Sequence, residues 1–135
     1  MSYGAAAALQ AAIYQRLRAD TALDALVGGA IYDAAPPGVT GGTYVSIGPE
    51  VVRDASTKTE RGAEHEFSVS VVTDAAGFQA AKAAAVAVSD ALTGATLVLA
   101  RGNLVGLWFL RARARRVENA DTRRIDLFFK ARIDD

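Results

Sequence analysis

The chain contains no cysteine, so disulfide staples, thiolate metal centres and thiol redox chemistry are all excluded. It has one histidine, His65. Serine-type nucleophilic catalysis needs an imidazole base oriented by an acid, so a single candidate base exists for the whole chain. Net charge is also lacking: Lys and Arg number 15 and Asp and Glu number 15, which argues against a dedicated nucleic-acid binder. No apolar run approaches the roughly 20 residues of a membrane-spanning helix. The alanine-rich start, MSYGAAAALQAAIYQRLRAD, has no basic segment before it and is interrupted by Gln10 and Gln15. It reads as a helix of the mature protein, hence a cytosolic product, and not as an export signal.

The 135 residues, 51% of them hydrophobic, suit one domain spanning 1–135 that buries roughly two thirds of its unfolded surface. The neutral total conceals a division. Residues 1–100 carry 6 Lys/Arg against 10 Asp/Glu, and residues 101–135 carry 9 against 5. The halves can neutralise each other within one fold, or attract a neighbouring copy as complementary patches do.

Leu9, Ile13 and Leu17 recur at helical spacing, which predicts a helix over Ser2–Arg18 with Ser2 as its N-cap. Asp20 caps a short helical turn, TALDALV, closed by Gly28-Gly29. Ala30–Asp33 forms a brief strand, and the Pro- and Gly-rich Ala34–Gly42 a loop. Thr43–Asp54 reads as a strand bulged at Gly48-Pro49. After the polar loop Asp54–Ala63, residues 64–73 form a strand in which Phe67, Val69 and Val71 alternate with Glu66, Ser68 and Ser70. A second long helix runs from Thr73 or Asp74 to about Leu92, with Phe78, Ala81, Ala85, Val88 and Leu92 inward.

The end of the chain predicts an antiparallel hairpin, Leu104–Val117 and Arg123–Ile133, turning at Asn119-Ala120-Asp121. In its first strand Leu107 and Phe109 share a face with Arg111, Arg113 and Arg115, and Trp108, Leu110, Ala112 and Ala114 lie opposite. In its second, Ile125, Leu127, Phe129, Ala131 and Ile133 are opposite Arg124, Asp126, Phe128, Lys130 and Arg132. The class is therefore α+β: a mostly antiparallel sheet of about five strands with two helices packed on one face.

No constellation supports chemistry. Period two sends Glu64 and Glu66 to one face and His65 to the other, so the trio does not converge on a metal, and a solvent-exposed or satisfied core histidine is the favoured reading. Gly38–Gly42 lacks the Lys-Ser/Thr of a phosphate cradle and opens no helix. Neither an enzyme nor a cofactor is indicated. Two surfaces remain. The Asp54–Glu64 loop is either a solvated hairpin connection or a binding loop on a rigid strand. The ladder Arg111/Arg113/Arg115/Arg116, with Arg123, Arg124 and Lys130 across the turn, is a solvated sheet face, a phosphate-backbone contact or a contact for an acidic protein. Leu107, Phe109 and Phe128, placed on that same face, hint that a subunit covers part of it.

With these segments assembled, the sequence resembles the tail-completion or tail-terminator proteins of long-tailed phages, in the branch also found in gene transfer agents. The resemblance is carried by ADTALDALVGG, by IYDAAPPG leading to YVSIG, by DASTKTERGAEHEFSVSVVTDAAG and by the strands FLRARARR and RRIDLFFKARI. Asp54, Thr57-Lys58-Thr59, Gly62 and Glu64 are its most specific residues. It implies a structural virion protein, made in the host cytoplasm and placed at the head–tail junction. Such a protein forms a ring, expected to be hexameric, that caps the head-proximal end of the tail tube. Its partners would be further copies, the major tube protein and the head completion (stopper) protein, with DNA passing through the lumen. The resemblance implies that Asp54, Thr57, Lys58, Thr59, Arg61, Gly62 and Glu64 reach a neighbour or the tube. It likewise implies that Arg111, Arg113, Arg115, Arg116, Arg124 and Lys130 border the channel or an acidic partner. Another ring component of the same machinery, a connector or tube protein, is the alternative.

Overall fold

A computed structural model describes residues 3–33, 41–117 and 121–135. The order is α1 (Ala6–Ala19), α2 (Thr21–Val27), β1 (Ile31–Tyr32), β2 (Thr43–Asp54), β3 (Gly62–Thr73), α3 (Gln79–Leu92), β4 (Asn103–Arg116) and β5 (Arg123–Asp134). The α+β class holds, with two corrections. The strands form one sheet in the order β1-β2-β3-β5-β4, but β1 runs parallel to β2 while the other pairings are antiparallel, so the sheet is mixed. Among the described residues the helices number three, because TALDALV is a helix in its own right. Asp20 accepts a hydrogen bond from the Leu23 amide at 2.9 Å, and Gly28 ends α2 in the left-handed conformation, φ 61°. Leu23 and Val27 anchor it in the core.

Helix boundaries also move. α1 starts at Ala6, with Ala5 in the N-cap position and no side-chain cap; Ser2 lies outside the described residues, as do most of the Ala34–Gly42 loop and Asn119-Ala120 of the terminal turn. α3 starts at Gln79, not at Thr73 or Asp74 as expected, with Phe78, the first residue of its apolar stripe, in the N-cap position. Gly77 at φ 86° interrupts a right-handed helix. The preceding backbone is held elsewhere: the Ala75 amide donates to Thr73 Oγ1 and the Ala75 carbonyl accepts from Arg123 Nη1.

The core lies between the helices and one face of the sheet. α1 and α2 cover β1 and β2, and α3 lies across β3, β5 and β4. Leu9, Ile13 and Leu17 of α1, the alanine-rich face of α3 and Val69, Val71, Leu127 and Phe129 of the sheet are all buried. Alanines at Ala81, Ala84, Ala85 and Ala91 let α3 approach the strands closely. Phe129 stacks on Phe67 with ring centres 5.6 Å apart and meets Phe109 edge-on at 5.9 Å.

β4 differs most from its sequence pattern. Its register against β5 shifts between Leu104 and Gly106 and again between Phe109 and Arg111. Each shift is a bulge that inserts one residue, so it flips the inward–outward alternation. Leu107 and Phe109 therefore pair with Ala131 and Phe129 on the helix side, whereas Arg111, Arg113 and Arg115 pair with Phe128, Asp126 and Arg124 on the open side. The reading that put Leu107 and Phe109 on the arginine face is wrong for this reason: Leu107 is buried in the core.

Candidate functional site

The β2–β3 connection is exposed but ordered by its own polar groups. Asp54 accepts from the Ser56 amide and hydroxyl at 3.1 and 2.7 Å. The Ser56 hydroxyl in turn bonds the Gly62 backbone, and Thr57 Oγ1 accepts from the Glu60 amide at 3.1 Å. These are the local side-chain turns that short polar residues favour. The Ser56 hydroxyl, then its amide, holds the Asp54 carboxyl below the usual carboxylate range.

Arg132 of β5 closes the base of the loop, donating to the Ala55 carbonyl at 2.7 Å and pairing with Asp134 at 3.1 Å. It passes directly over Gly62, where a Cβ would fall 2.1 Å from the guanidinium. Asp54, Thr57 and Gly62 therefore shape the loop. Lys58, Thr59 and Arg61 are exposed on it, and neither cation makes a side-chain hydrogen bond or ion pair among the described residues. Glu64 lies beyond the loop on the sheet, between Arg53 and Arg132 in register.

The basic surface lies on the open face. Arg124 donates to Asp126 at 2.8 Å and to the Ser70 hydroxyl at 2.9 Å, and Ser70 donates to Asp126 at 2.6 Å. Burial pushes the Asp126 carboxyl upward, but the Ser70 and Arg124 hydrogen bonds, aided by the charges of Arg124 and Arg115, outweigh it and leave a lowered pKa. The Arg111 guanidinium sits 4.0 Å from the Phe128 ring centre and the Lys130 ammonium 5.5 Å from that of Trp108, as cations sit over aromatic faces. Arg113 and Arg116 are exposed and make no ion pair among the described residues. The ladder is thus partly neutralised at Arg124 and Arg115 and freely cationic further along β4.

The two surfaces are not brought together. Gly62 pairs with Asp134, at the loop end of the sheet, while Arg116 pairs with Arg123, which pairs with Thr73. At about 3.3 Å per residue, the loop and Arg116 are separated by about 35 Å along the strands. The basic face runs between these ends: Lys130 is in register with Glu66, four residues from Gly62, and Arg116 marks its far limit.

His65 is neither exposed nor satisfied. It is fully buried on the helix side of β3, and among the described residues neither ring nitrogen has a hydrogen-bond partner. Glu50 Oε2 stands 3.8 Å from Nδ1, too far for a hydrogen bond, and the other Glu50 oxygen accepts from the Tyr3 hydroxyl at 2.6 Å. Burial lowers the His65 pKa and Glu50 only partly opposes it, so the ring is neutral near pH 7 and the Glu50 contact is no ion pair. A folded-state pKa below the unfolded value of 6.5 means that the unfolded chain takes up the proton first. The contribution of neutral His65 is present above about pH 6.5 and is lost as pH falls toward the folded value. Urea midpoints are expected to decline below about pH 6.5, well before Asp54 and Asp126 protonate below about pH 4. His65→Leu should remove that first decline; an unchanged profile in the variant would place its origin elsewhere.

Among the described residues no group of three or more His, Asp or Glu side chains is placed to hold a metal ion. No described helix is long and apolar enough to cross a membrane.

The structure is an α+β fold with an ordered polar loop at one end of its sheet and cationic residues along the open face. Residues 11–134 match the family described as "Tail completion protein gp17", and the chain belongs to that family of phage tail proteins. A solved structure described as "Virion of native gene transfer agent (GTA) particle" contains a chain 70% identical to this one. The match covers 99% of this chain and 100% of that chain, with a TM-score of 0.93. A second solved structure, 16% identical with a TM-score of 0.51 over 96% of this chain and 95% of that one, shares the fold. No curated protein matches the chain.

Proposed function

We propose that the chain is the tail terminator of a gene-transfer-agent or phage particle: a single-domain protein, hexameric in its assembled ring, that ends the tail tube at its head-proximal side and joins it to the head. The observation that carries this reading is the 70% identity, over essentially both whole chains, to a component of a gene transfer agent virion. Family membership gives the tail-completion role.

The geometry supports a division of labour. Lys58, Thr59 and Arg61, exposed on a loop held rigid by Asp54, Ser56 and Thr57, engage a neighbouring subunit or the tube. The cationic open face at Arg111, Arg113, Arg115, Arg116, Arg124 and Lys130 faces the channel or the head-side partner. Charge presented this way suits contact with a phosphate backbone in transit, because it carries no base-reading geometry.

Deleting the gene tests the reading directly. Electron micrographs should show tails of uncontrolled length beside unjoined, DNA-filled heads. Normal-length tails attached to heads would overturn it. Leaking heads beside normal free tails would assign the protein to the connector instead.

A further inference from the structure

β4 is the outer strand of the sheet, with β5 as its one neighbour among the described residues. Its outer edge is covered only near its start, where the Gly94 amide donates to the Leu107 carbonyl at 3.0 Å. From Trp108 to Arg116, no further hydrogen bond among the described residues reaches the outer side of the backbone. Such a row of unpaired N–H and C=O groups is a template for another strand. Proteins blunt an edge with bulges or proline, and beyond the bulge at Leu110 there is neither: Arg111–Arg116 pairs residue for residue with Phe128–Arg123. That length is an ordinary one for a strand, about 20 Å.

The side chains along this stretch select what can pair with it. Arg111, Arg113 and Arg115 stand on the open side; Ala112 and Ala114 stand on the helix side, and both alanines are exposed. The carboxylate in register with this stretch, Asp126 opposite Arg113, accepts from Arg124 and Ser70 and lies 3.8 Å from Arg115. Arg111 rests on the Phe128 ring, and neither it nor Arg113 has a carboxylate partner among the described residues. A second β4 on this edge would set arginines against arginines, and like charges across a strand pair repel. A phosphate backbone accepts hydrogen bonds but cannot donate to the edge carbonyls, and it gains nothing from the exposed Leu110, Ala112 and Ala114 side chains. An extended peptide supplies both donors and acceptors, and its alternate side chains meet the two faces of the sheet.

We propose that Leu110–Arg116 of β4 is a docking edge for an extended acidic segment of a partner protein, which adds a strand to the five of the sheet. Carboxylates at alternate positions of that segment face Arg111 and Arg113, and small apolar side chains between them lie beside Ala112 and Ala114. Main-chain pairing supplies the binding energy, and the period-two charge pattern supplies the selectivity. The inference rests on the reading of the arginine face as a partner surface and names the chemistry of that partner.

Trp108, half exposed at the start of this edge, is the chain's single tryptophan, so its emission reports occupancy. The full chain is titrated with a capped octapeptide of alternating Glu and Val, and amide exchange along β4 is followed by mass spectrometry. Binding should shift the emission and slow exchange across residues 110–116. The same peptide with every backbone nitrogen methylated keeps its charges but cannot donate to an edge, and should bind at least about ten-fold more weakly. Arg111→Glu combined with Arg113→Glu should weaken binding of the unmethylated peptide by a similar factor; the methylated peptide decides the matter if that variant folds poorly. No binding of the Glu-Val peptide, or equal binding of its methylated form, would overturn the proposal. Duplex DNA or a Lys-Val octapeptide that binds more tightly and protects the same residues would also overturn it. So would protection that grows with protein concentration alone, which would make a second copy the occupant. The terminator reading stands or falls separately, on the deletion micrographs.

Discussion

Phe129→Ala is expected to cost about 3–5 kcal/mol, the range for deleting a fully buried aromatic side chain. Total stability for a domain of this kind is about 5–15 kcal/mol, so the variant stands at the margin of folding. Phe129 has no solvent exposure, sits on β5 between β3 and β4, stacks on Phe67 and receives the edge of Phe109. No small shift of one element can close the space left behind, because strands on both sides and a helix above define its walls. Its neighbour Phe128 provides the control. Phe128 points to the open face under the Arg111 guanidinium, and a partly exposed cation–π contact contributes about 0.5–1 kcal/mol. Urea denaturation should therefore separate adjacent, chemically identical substitutions by several kcal/mol. Equal losses would mean that the inward–outward assignment of β5 is wrong.

That assignment was legible in the sequence because β5 alternates without interruption, and Ile125, Leu127, Phe129, Ala131 and Ile133 are all buried as period two requires. β4 was not, although its composition is similar. A bulge at Leu110 changes the phase without any glycine or proline at that position, since the extra residue is set by strand coiling and edge position and not by local propensity. Gly106, beside the first shift, was the one available signal. The parallel pairing of β1 depends on where α1 and α2 deliver the chain, and two residues carry too little pattern to show direction. Asp20 and Gly28-Gly29 did mark α2, but its burial against the core is a tertiary fact.

For the candidate site, the loop and its boundaries were readable, because polar turn residues separate two alternating strands. The roles within it required coordinates: Asp54, Thr57 and Gly62 build the loop, whereas Lys58, Thr59, Glu60 and Arg61 are exposed on it. Period two does put His65 opposite Glu64 and Glu66, in phase with Phe67, Val69 and Val71 on the core side of β3; the missing partners of its ring nitrogens among the described residues are a tertiary fact.

Lys58→Glu combined with Arg61→Glu is expected to abolish docking of the protein on tail tubes while leaving the fold intact. Both side chains are exposed and make no polar contact within the chain among the described residues, so the pair should move thermal stability little, as surface substitutions generally do. At an interface the arithmetic differs. Losing one partner of a desolvated charge pair costs about 2–5 kcal/mol, which is on the order of 30- to several thousand-fold in affinity, and reversal adds repulsion. Cosedimentation of the variant with purified tubes, and tail lengths in particles assembled with it, measure the effect. Two comparisons locate its cause. Thr59→Ala removes a neutral group from the same loop and should change docking by a few-fold at most. Asp54→Ala removes the acceptor for Ser56, which loosens the loop without altering its outward cations. Docking lost equally in Asp54→Ala and in the charge reversal would mean that loop shape carries recognition. Docking lost only in the reversal would mean that the cations do. Unchanged docking in all three would remove the loop from the interface.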